Sequence, residues 1–183
     1  MTRRSPREDV AEVLVTEEQL RAALADLAAQ LTRDYADRNP LLVGVLVGAF
    51  VFMADLVRLL DFPLEVEFVG ASSYGDGTAA GQLRLTKDVA REVRGREVLV
   101  VDDILDTGRT LARLVALFRE RGAASVRACC LLDKPSRRTV DFGADYVGLE
   151  VPDRFVVGYG LDYACGYRNL PFVGVLRPEL YRS

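Results

Sequence analysis

Histidine and tryptophan are both missing from this chain of 183 residues, and cysteine and methionine are scarce, at three and two. Without histidine the usual zinc sites are nearly excluded, as are the common Ser-His and Cys-His hydrolase mechanisms. Any catalysis must rest on carboxylates, Lys, Arg, Tyr or a bound metal. The cysteines (Cys129, Cys130 and Cys165) are odd in number, two are adjacent in an apolar run, and none forms a CxxC pair. They read as reduced, buried thiols rather than a disulfide framework. No hydrophobic run is long enough to span a bilayer: Leu41 to Ala54 is broken by glycines and ends at Asp55. The opening MTRRSPREDVAEVLV is basic, then acidic, without the apolar centre of a signal peptide. The expected location is the cytoplasm, with no membrane partner. An excess of positive charge is lacking too. The net charge of −3 argues against a nucleic-acid surface over the whole molecule, although it leaves room for a local basic patch.

What is present is a globular composition, half hydrophobic and 28% charged. The length suits one domain over residues 1–183. A chain of this size buries roughly 70% of its unfolded surface and needs no disulfide or structural metal to fold. No repeat, low-complexity tract or linker interrupts it.

Along the chain, a short strand (Val13–Val15) is followed by Thr16 and Gln19 at the spacing of a capping box. Leu20, Leu24, Leu27, Leu31 and Tyr35 then recur at helical spacing until Asn39-Pro40 ends the helix. LLVGVLV (Leu41–Val47) reads as a strand buried on both faces, and Phe50 to Leu60 as a buried helix. EVEFVGAS, before a Gly- and Ser-rich stretch, reads as a strand, and that stretch (Ser72–Gln82) as a mobile loop. LRLTKDV is a candidate strand returning from it. REVLVV reads as a buried strand ending at Asp102-Asp103, and Thr107 to Arg121 as a helix stopped by Gly122. Ser125–Leu132 is another buried strand, and Tyr146–Val151, Phe155–Val157 and Phe172–Leu176 are short ones. Strands alternating with helices imply an α/β fold with a mostly parallel sheet, whose ligands bind at the carboxyl ends of the strands.

The informative stretch is VLVVDDILDTGRT, Val98 to Thr110. A buried strand leads into two acids, a short loop with a third acid, and Thr-Gly-Arg-Thr at a helix start. Those groups suit a ribose 5-phosphate. Asp102 and Asp103 can accept hydrogen bonds from the two ribose hydroxyls. Thr107 to Thr110 offer backbone N–H groups, two hydroxyls and the positive end of a helix dipole to the phosphate. Gly108 allows close backbone approach. Read alone, the acid pair also occurs in phosphotransfer proteins, and Thr-Gly can be a plain helix cap.

In this segment the chain resembles the phosphoribosyltransferases, whose binding segment for phosphoribosyl pyrophosphate has this form. LLVGVLVGAFVFMADL, VEFVGASSYG, LLDKPSRR and FVVGYGLDYACGYRNLPFVGVL narrow the resemblance to the hypoxanthine-guanine group, in the order that group has them. The resemblance implies the type I fold: a Rossmann-like, mostly parallel sheet flanked by helices, with a small hood built from the terminal segments. It implies transfer of the 5-phosphoribosyl group to hypoxanthine or guanine, giving IMP or GMP and pyrophosphate, with Mg2+ as cofactor. It also implies a homo-oligomer, dimer or tetramer, without a nucleic-acid partner.

Residue by residue, the resemblance assigns Asp102 and Asp103 to the ribose hydroxyls and magnesium. Asp106 is the residue near purine N7, taken as proton acceptor, and with Thr107, Gly108, Arg109 and Thr110 it belongs to the 5′-phosphate loop. Lys134 donates to the 6-oxo group, Phe155 stacks on the base, and the Val156 carbonyl accepts from a guanine amino group. Asp162 is a magnesium-side acid counted with the purine contacts. Leu46, Val47, Gly48 and Arg168 face pyrophosphate, the loop containing a cis non-proline peptide. Ser73 and Tyr74 match the tip of a closing loop. Val47 is a departure, since relatives often carry Lys or Arg there. Asp102 is another, since the closest relatives often carry Glu.

Taken singly, several of these residues have plainer readings. Lys134 before Pro135 can be a solvated turn lysine, Phe155 core, Asp162 a turn acid, Arg168 a surface residue, and Arg137-Arg138 a solvated pair. Two other functions also share VDDILDTGRT. One is a regulator of the pyrimidine-attenuation type that senses phosphoribosyl pyrophosphate while binding nucleic acid, and the other an enzyme for another base such as xanthine. DKPSRR and FVVGYGLDYA fit the purine enzyme better.

Overall fold

Thr16 accepts a hydrogen bond from the Gln19 N–H at 3.2 Å while the Gln19 side chain accepts the Thr16 N–H at 2.9 Å, so the expected capping box forms. It starts α1 (Glu17–Tyr35), whose Leu20, Leu24, Leu27, Leu31 and Tyr35 make one buried stripe. The computed structural model describes residues 5–73 and 83–181. Around α1 lie β1 (Val10–Val15), β2 (Leu41–Leu46), α2 (Phe50–Val57), β3 (Glu65–Ser73), β4 (Leu83–Lys87), β5 (Glu97–Leu105), α3 (Arg109–Glu120), β6 (Ser125–Asp133), β7 (Tyr146–Glu150), β8 (Val156–Val157) and β9 (Val173–Leu176).

Six strands form the main sheet in the order β4-β3-β2-β5-β6-β7. All its pairings are parallel except β3 with β4 at the edge. The two-residue period of the strands divides the core. Leu42, Leu99, Val101, Cys129 and Leu131 pack with α1 and α2. Leu41, Val43, Val98, Val100 and Cys130 pack with Leu111, Leu114, Val115 and Phe118 of α3. Adjacent Cys129 and Cys130 thus face opposite layers, and both are free, buried thiols as expected, whereas Cys165, expected to be buried with them, is free but exposed, in the turn-rich segment between β8 and β9. A second, three-stranded sheet, β1-β9-β8, joins the two ends of the chain into the hood. Among the described residues no helix is long and apolar enough to cross a membrane.

Several boundaries differ from expectation. β1 begins at Val10, three residues early, because its alternation is hidden by exposed Ala11, Glu12 and Val13 while its pairing with β9 continues. α2 stops at Val57 rather than Leu60, which closes a turn by donating to the Val57 carbonyl. α3 starts at Arg109, leaving Thr107 in the preceding turn. The correction that matters is β5, which continues through Asp102 and Asp103 to Leu105. The apolar run ends at the acids, but pairing with β6 persists to Leu105 and Asp133. Ser72 and Ser73, assigned to a loop, lie in β3; residues 74–82 of that loop, with Tyr74, fall outside the described residues.

Candidate active site

From β2 the chain moves outward to β3 and β4, then crosses back to β5 on the other side. The sheet therefore has its switch point between β2 and β5, where open α/β sheets bind ligands. Pairing of β2 with β5 ends at Gly44 and Val101. Beyond it, only β6 covers β5, so Asp102 and Asp103 sit on an edge that β2 has vacated.

Both acids are nonetheless buried, 9% and 8% exposed. Asp102 Oδ1 accepts the Asp103 N–H at 3.0 Å, and Asp103 Oδ1 accepts the Ile104 N–H at 2.9 Å. Burial, then the charge of Asp103, holds the Asp102 carboxyl well above the usual carboxylate range. Burial also raises Asp103, opposed by hydrogen bonding and by the charge of Arg168.

After β5, Gly108 takes φ +84°, and a Cβ there would come 2.9 Å from Arg138 Cδ. The positive φ and the close approach both call for glycine. The N-cap of α3, Gly108, has no side chain to cap it, and the Arg109 N–H meets Thr107 Oγ1 only at 3.4 Å. The first turn of α3, with Asp102, Asp106, Thr107, Gly108 and Thr110, lines a cavity of about 80 Å³. Backbone N–H groups, two hydroxyls and the helix dipole suit an anion. Arg109 Nε donates to Thr139 Oγ1 at 3.0 Å, so this residue's side chain is turned to the Thr139 loop.

Leu46–Val47 is a cis peptide, as the resemblance implied for this loop. Gly48 follows it against Asp103: a Cβ on Gly48 would lie 2.0 Å from Asp103 Oδ2. Gly160, at φ +102°, packs on the same loop, with a Cβ position 2.2 Å from the Gly48 carbonyl oxygen. Arg168 donates to the Gly160 carbonyl and pairs with Asp162 at 2.7 Å. Leu46, Gly48, Asp103, Gly160, Asp162 and Arg168 are thus one neighbourhood. Val47 is exposed.

Asp102 and Asp103 on β5 and Asp162 beyond β8 are the acids expected near magnesium. Among the described residues no three His, Cys, Asp or Glu side chains gather around one point. Asp162 belongs to the segment between β8 and β9, engaged by Arg168 and by the Cys165 N–H at 3.0 Å. The donor set fits an ion held partly by substrate oxygens, since magnesium usually takes one or two carboxylates and completes its shell with waters and phosphates.

Lys134, just past β6, is no solvated turn residue: it is 7% exposed and donates to the Arg154 carbonyl at 2.7 Å. Burial lowers its pKa, and the charges of Asp106 and Asp153 oppose that. Phe155 follows Arg154 and is 38% exposed rather than core. Val156 is buried in β8 and paired with Val175.

Two arginines read singly as a solvated pair behave differently. Arg137 Nε donates to Asp106 Oδ1 at 3.1 Å and lies 3.8 Å from Asp153. Arg138 donates to the carbonyls of Leu105 and Asp106 and to the Asp133 carboxylate, fastening the end of β5 to the end of β6. Their spacing from Asp106 spans a whole βα unit, so no local pattern could have indicated either contact.

A family model described as "Phosphoribosyl transferase domain" matches residues 12–164. The hypoxanthine-guanine phosphoribosyltransferase of Bacillus subtilis is 51% identical over 178 residues, covering 97% of this chain and 99% of that protein. The enzyme of the same name from Streptococcus pneumoniae is 50% identical over 176 residues, covering 96% and 98%. A crystal structure of a hypoxanthine phosphoribosyltransferase from Staphylococcus aureus superposes with a TM-score of 0.94 at 42% identity, covering all of both chains.

Proposed function

The chain belongs to the phosphoribosyltransferase family, and on that premise we propose that it transfers the 5-phosphoribosyl group of phosphoribosyl pyrophosphate to hypoxanthine and guanine. The products are IMP or GMP and pyrophosphate, a purine-salvage reaction. The observation that carries the reading is the joint presence, at one end of the sheet, of the buried acid pair, the anion turn before α3 and a buried lysine at the end of the neighbouring strand. Relatives of about half-identical sequence and nearly equal length bear that enzyme name, which favours an enzyme over a nucleic-acid-binding sensor.

In this reading the turn Asp106–Thr110 binds the 5′-phosphate and Asp102 and Asp103 take the ribose hydroxyls. Leu46 to Gly48 and Arg168 face the pyrophosphate. Asp102, Asp103 and Asp162 would help to hold magnesium, which when bound would lower the charge on the leaving pyrophosphate. The base attacks C1 from N9 as the C–O bond to pyrophosphate breaks with oxocarbenium character. Asp106 takes the N7 proton. Arg137 already holds one of its oxygens in the free protein, which keeps the carboxylate near the loop. Lys134 keeps one donor on Arg154 and has two left for the purine 6-oxo oxygen. Phe155 stacks on the base, and the Val156 carbonyl accepts from the guanine amino group.

Pyrophosphate release by the purified protein, measured with magnesium, phosphoribosyl pyrophosphate and one base at a time, tests the proposal. Hypoxanthine and guanine should support release, and adenine and uracil should not. Release with xanthine or uracil alone would replace it with another base specificity. No release with any base, together with binding of RNA, would replace it with the sensor.

A further inference from the structure

Phe155 and Tyr181 lie face to face, with ring centroids 4.5 Å apart and planes inclined by 20°. Tyr163 meets Phe155 at 5.5 Å and 87°. The three distances between centroids put Tyr163 beside the Phe155 ring, near a right angle from Tyr181 and not opposite it. Tyr181 therefore covers one face and Tyr163 flanks the ring, and Phe155 is still 38% exposed.

Tyr181 reaches this place by a short tether. The Arg177 N–H donates to the Asp9 carbonyl at 3.0 Å, fixing the chain beside the entry to β1. A 3-10 turn, Pro178–Leu180, follows with proline at its first position. It closes through Leu180 N–H to Arg177 and Tyr181 N–H to Pro178, at 3.0 and 3.3 Å. The Phe155 carbonyl in turn accepts the Leu176 N–H at 3.0 Å. Both rings are therefore mounted on the same hood sheet, although they are far apart in the chain.

We infer that Tyr181 is a positioning residue for the purine: it backs Phe155, so that the base stacks on a ring already held in place. The inference rests on the reading that Phe155 stacks on the base. An exposed, unbacked phenyl ring must lose side-chain freedom when a base settles on it, and that loss weakens binding. A ring already stacked has lost it beforehand. Because the stack is formed by two side chains of the chain itself, its effect belongs to base binding and not to the chemical step. Removing it should then raise KM for the base and leave kcat unchanged.

Steady-state kinetics of Tyr181→Ala, Tyr181→Phe and Phe155→Ala test this. Tyr181→Ala should raise KM for hypoxanthine about three- to tenfold, the range an aromatic pair supplies, with kcat and KM for phosphoribosyl pyrophosphate within about twofold. Tyr181→Phe should restore the native KM. The absence of tryptophan adds a second readout: in Tyr181→Trp the sole indole should change its emission when IMP is added. If Phe155→Ala leaves KM for hypoxanthine unchanged, the reading of Phe155 falls. If Phe155→Ala raises it and Tyr181→Ala does not, that reading stands and the role of Tyr181 falls. A fall in kcat with both KM values rising would mark Tyr181 as structural only. A lower KM for hypoxanthine in Tyr181→Ala would mean that Tyr181 occupies the place of the base. Either result overturns the inference.

Discussion

Gly48 and Asp103 are in contact through space that no side chain can share: a Cβ on Gly48 would lie 2.0 Å from one Asp103 carboxylate oxygen and 2.6 Å from its carbon. The carboxylate is buried, and its neighbours on β5 fix the backbone behind it. Gly48→Ala must therefore move either the pyrophosphate loop or the acid. A displacement of about 1 Å at a reacting site costs roughly 10²-fold. We expect kcat/KM for phosphoribosyl pyrophosphate to fall by about that factor. Steady-state kinetics check it, and a native value would separate this loop from the substrate.

Asp106→Asn should lower kcat by roughly 10²–10⁴, the range for a positioned acid–base group. Asparagine can still accept from Arg137, and Thr107 to Thr110 still hold the phosphate, so affinity for phosphoribosyl pyrophosphate should change little. Calorimetric titration of the variant beside its kinetics distinguishes this from a fault in the loop. A near-native kcat would remove Asp106 from the chemistry.

Asp102→Asn should stabilise the free protein while weakening substrate binding. The native carboxyl is held above the usual range, so the folded state keeps a proton that the unfolded state releases. Below about pH 4, near the ordinary carboxylate pKa, both states are protonated and the variant gains nothing. As pH rises from there toward the raised native pKa, the native protein loses stability that the variant keeps. The difference in Tm should grow from pH 4 to 7, at about 2–4 °C per kcal/mol for a chain of this length. Thermal scans across pH test it, and a variant less stable at pH 7 would contradict the assigned burial cost.

Arg138→Gln should destabilise the protein and raise KM for phosphoribosyl pyrophosphate, because it removes a donor from the Leu105 and Asp106 carbonyls and leaves the Asp133 carboxylate without its arginine. Breaking a buried ion pair costs about 3–5 kcal/mol. With the partners 16% and 17% exposed, the lower end is expected. Arg137→Gln, at a pair about half exposed and screened by solvent, should cost less than Arg138→Gln. Chemical denaturation of both variants provides the comparison.

Much of this arrangement was legible in the residues. The capping box at Thr16, the stripe from Leu20 to Tyr35 and the buried runs of β2, β5 and β6 each carry a local pattern, and local patterns survive folding. The strand–turn–helix around Asp102 to Thr110 was legible for the same reason: all its groups are consecutive. What could not be read was contact between distant segments. Lys134 looked like a turn residue beside proline until the Arg154 carbonyl, twenty residues on, was seen to hold it buried. Arg138 looked solvated because the carbonyls it binds belong to the neighbouring strand. The extension of β5 past the acids followed from its pairing with β6, which hydropathy does not encode. Tyr181, near the end of the chain, gave no signal of its place on Phe155.

The most direct test of the account is the ratio of kcat/KM for hypoxanthine to that for adenine, in native protein and in Lys134→Gln. A 6-oxopurine offers an acceptor to the buried ammonium, whereas adenine presents a donor to it. An unmatched buried donor costs roughly 1–3 kcal/mol, more when charged, and sites built to hydrogen-bond a substrate group reach roughly 10⁴-fold discrimination. Native protein should favour hypoxanthine by a factor between about 10² and 10⁴. Lys134→Gln should narrow that gap by at least about tenfold, because an amide can turn its oxygen to the adenine amino group. A ratio near one in native protein, or a ratio left unchanged by the substitution, would contradict a 6-oxopurine site built on Lys134.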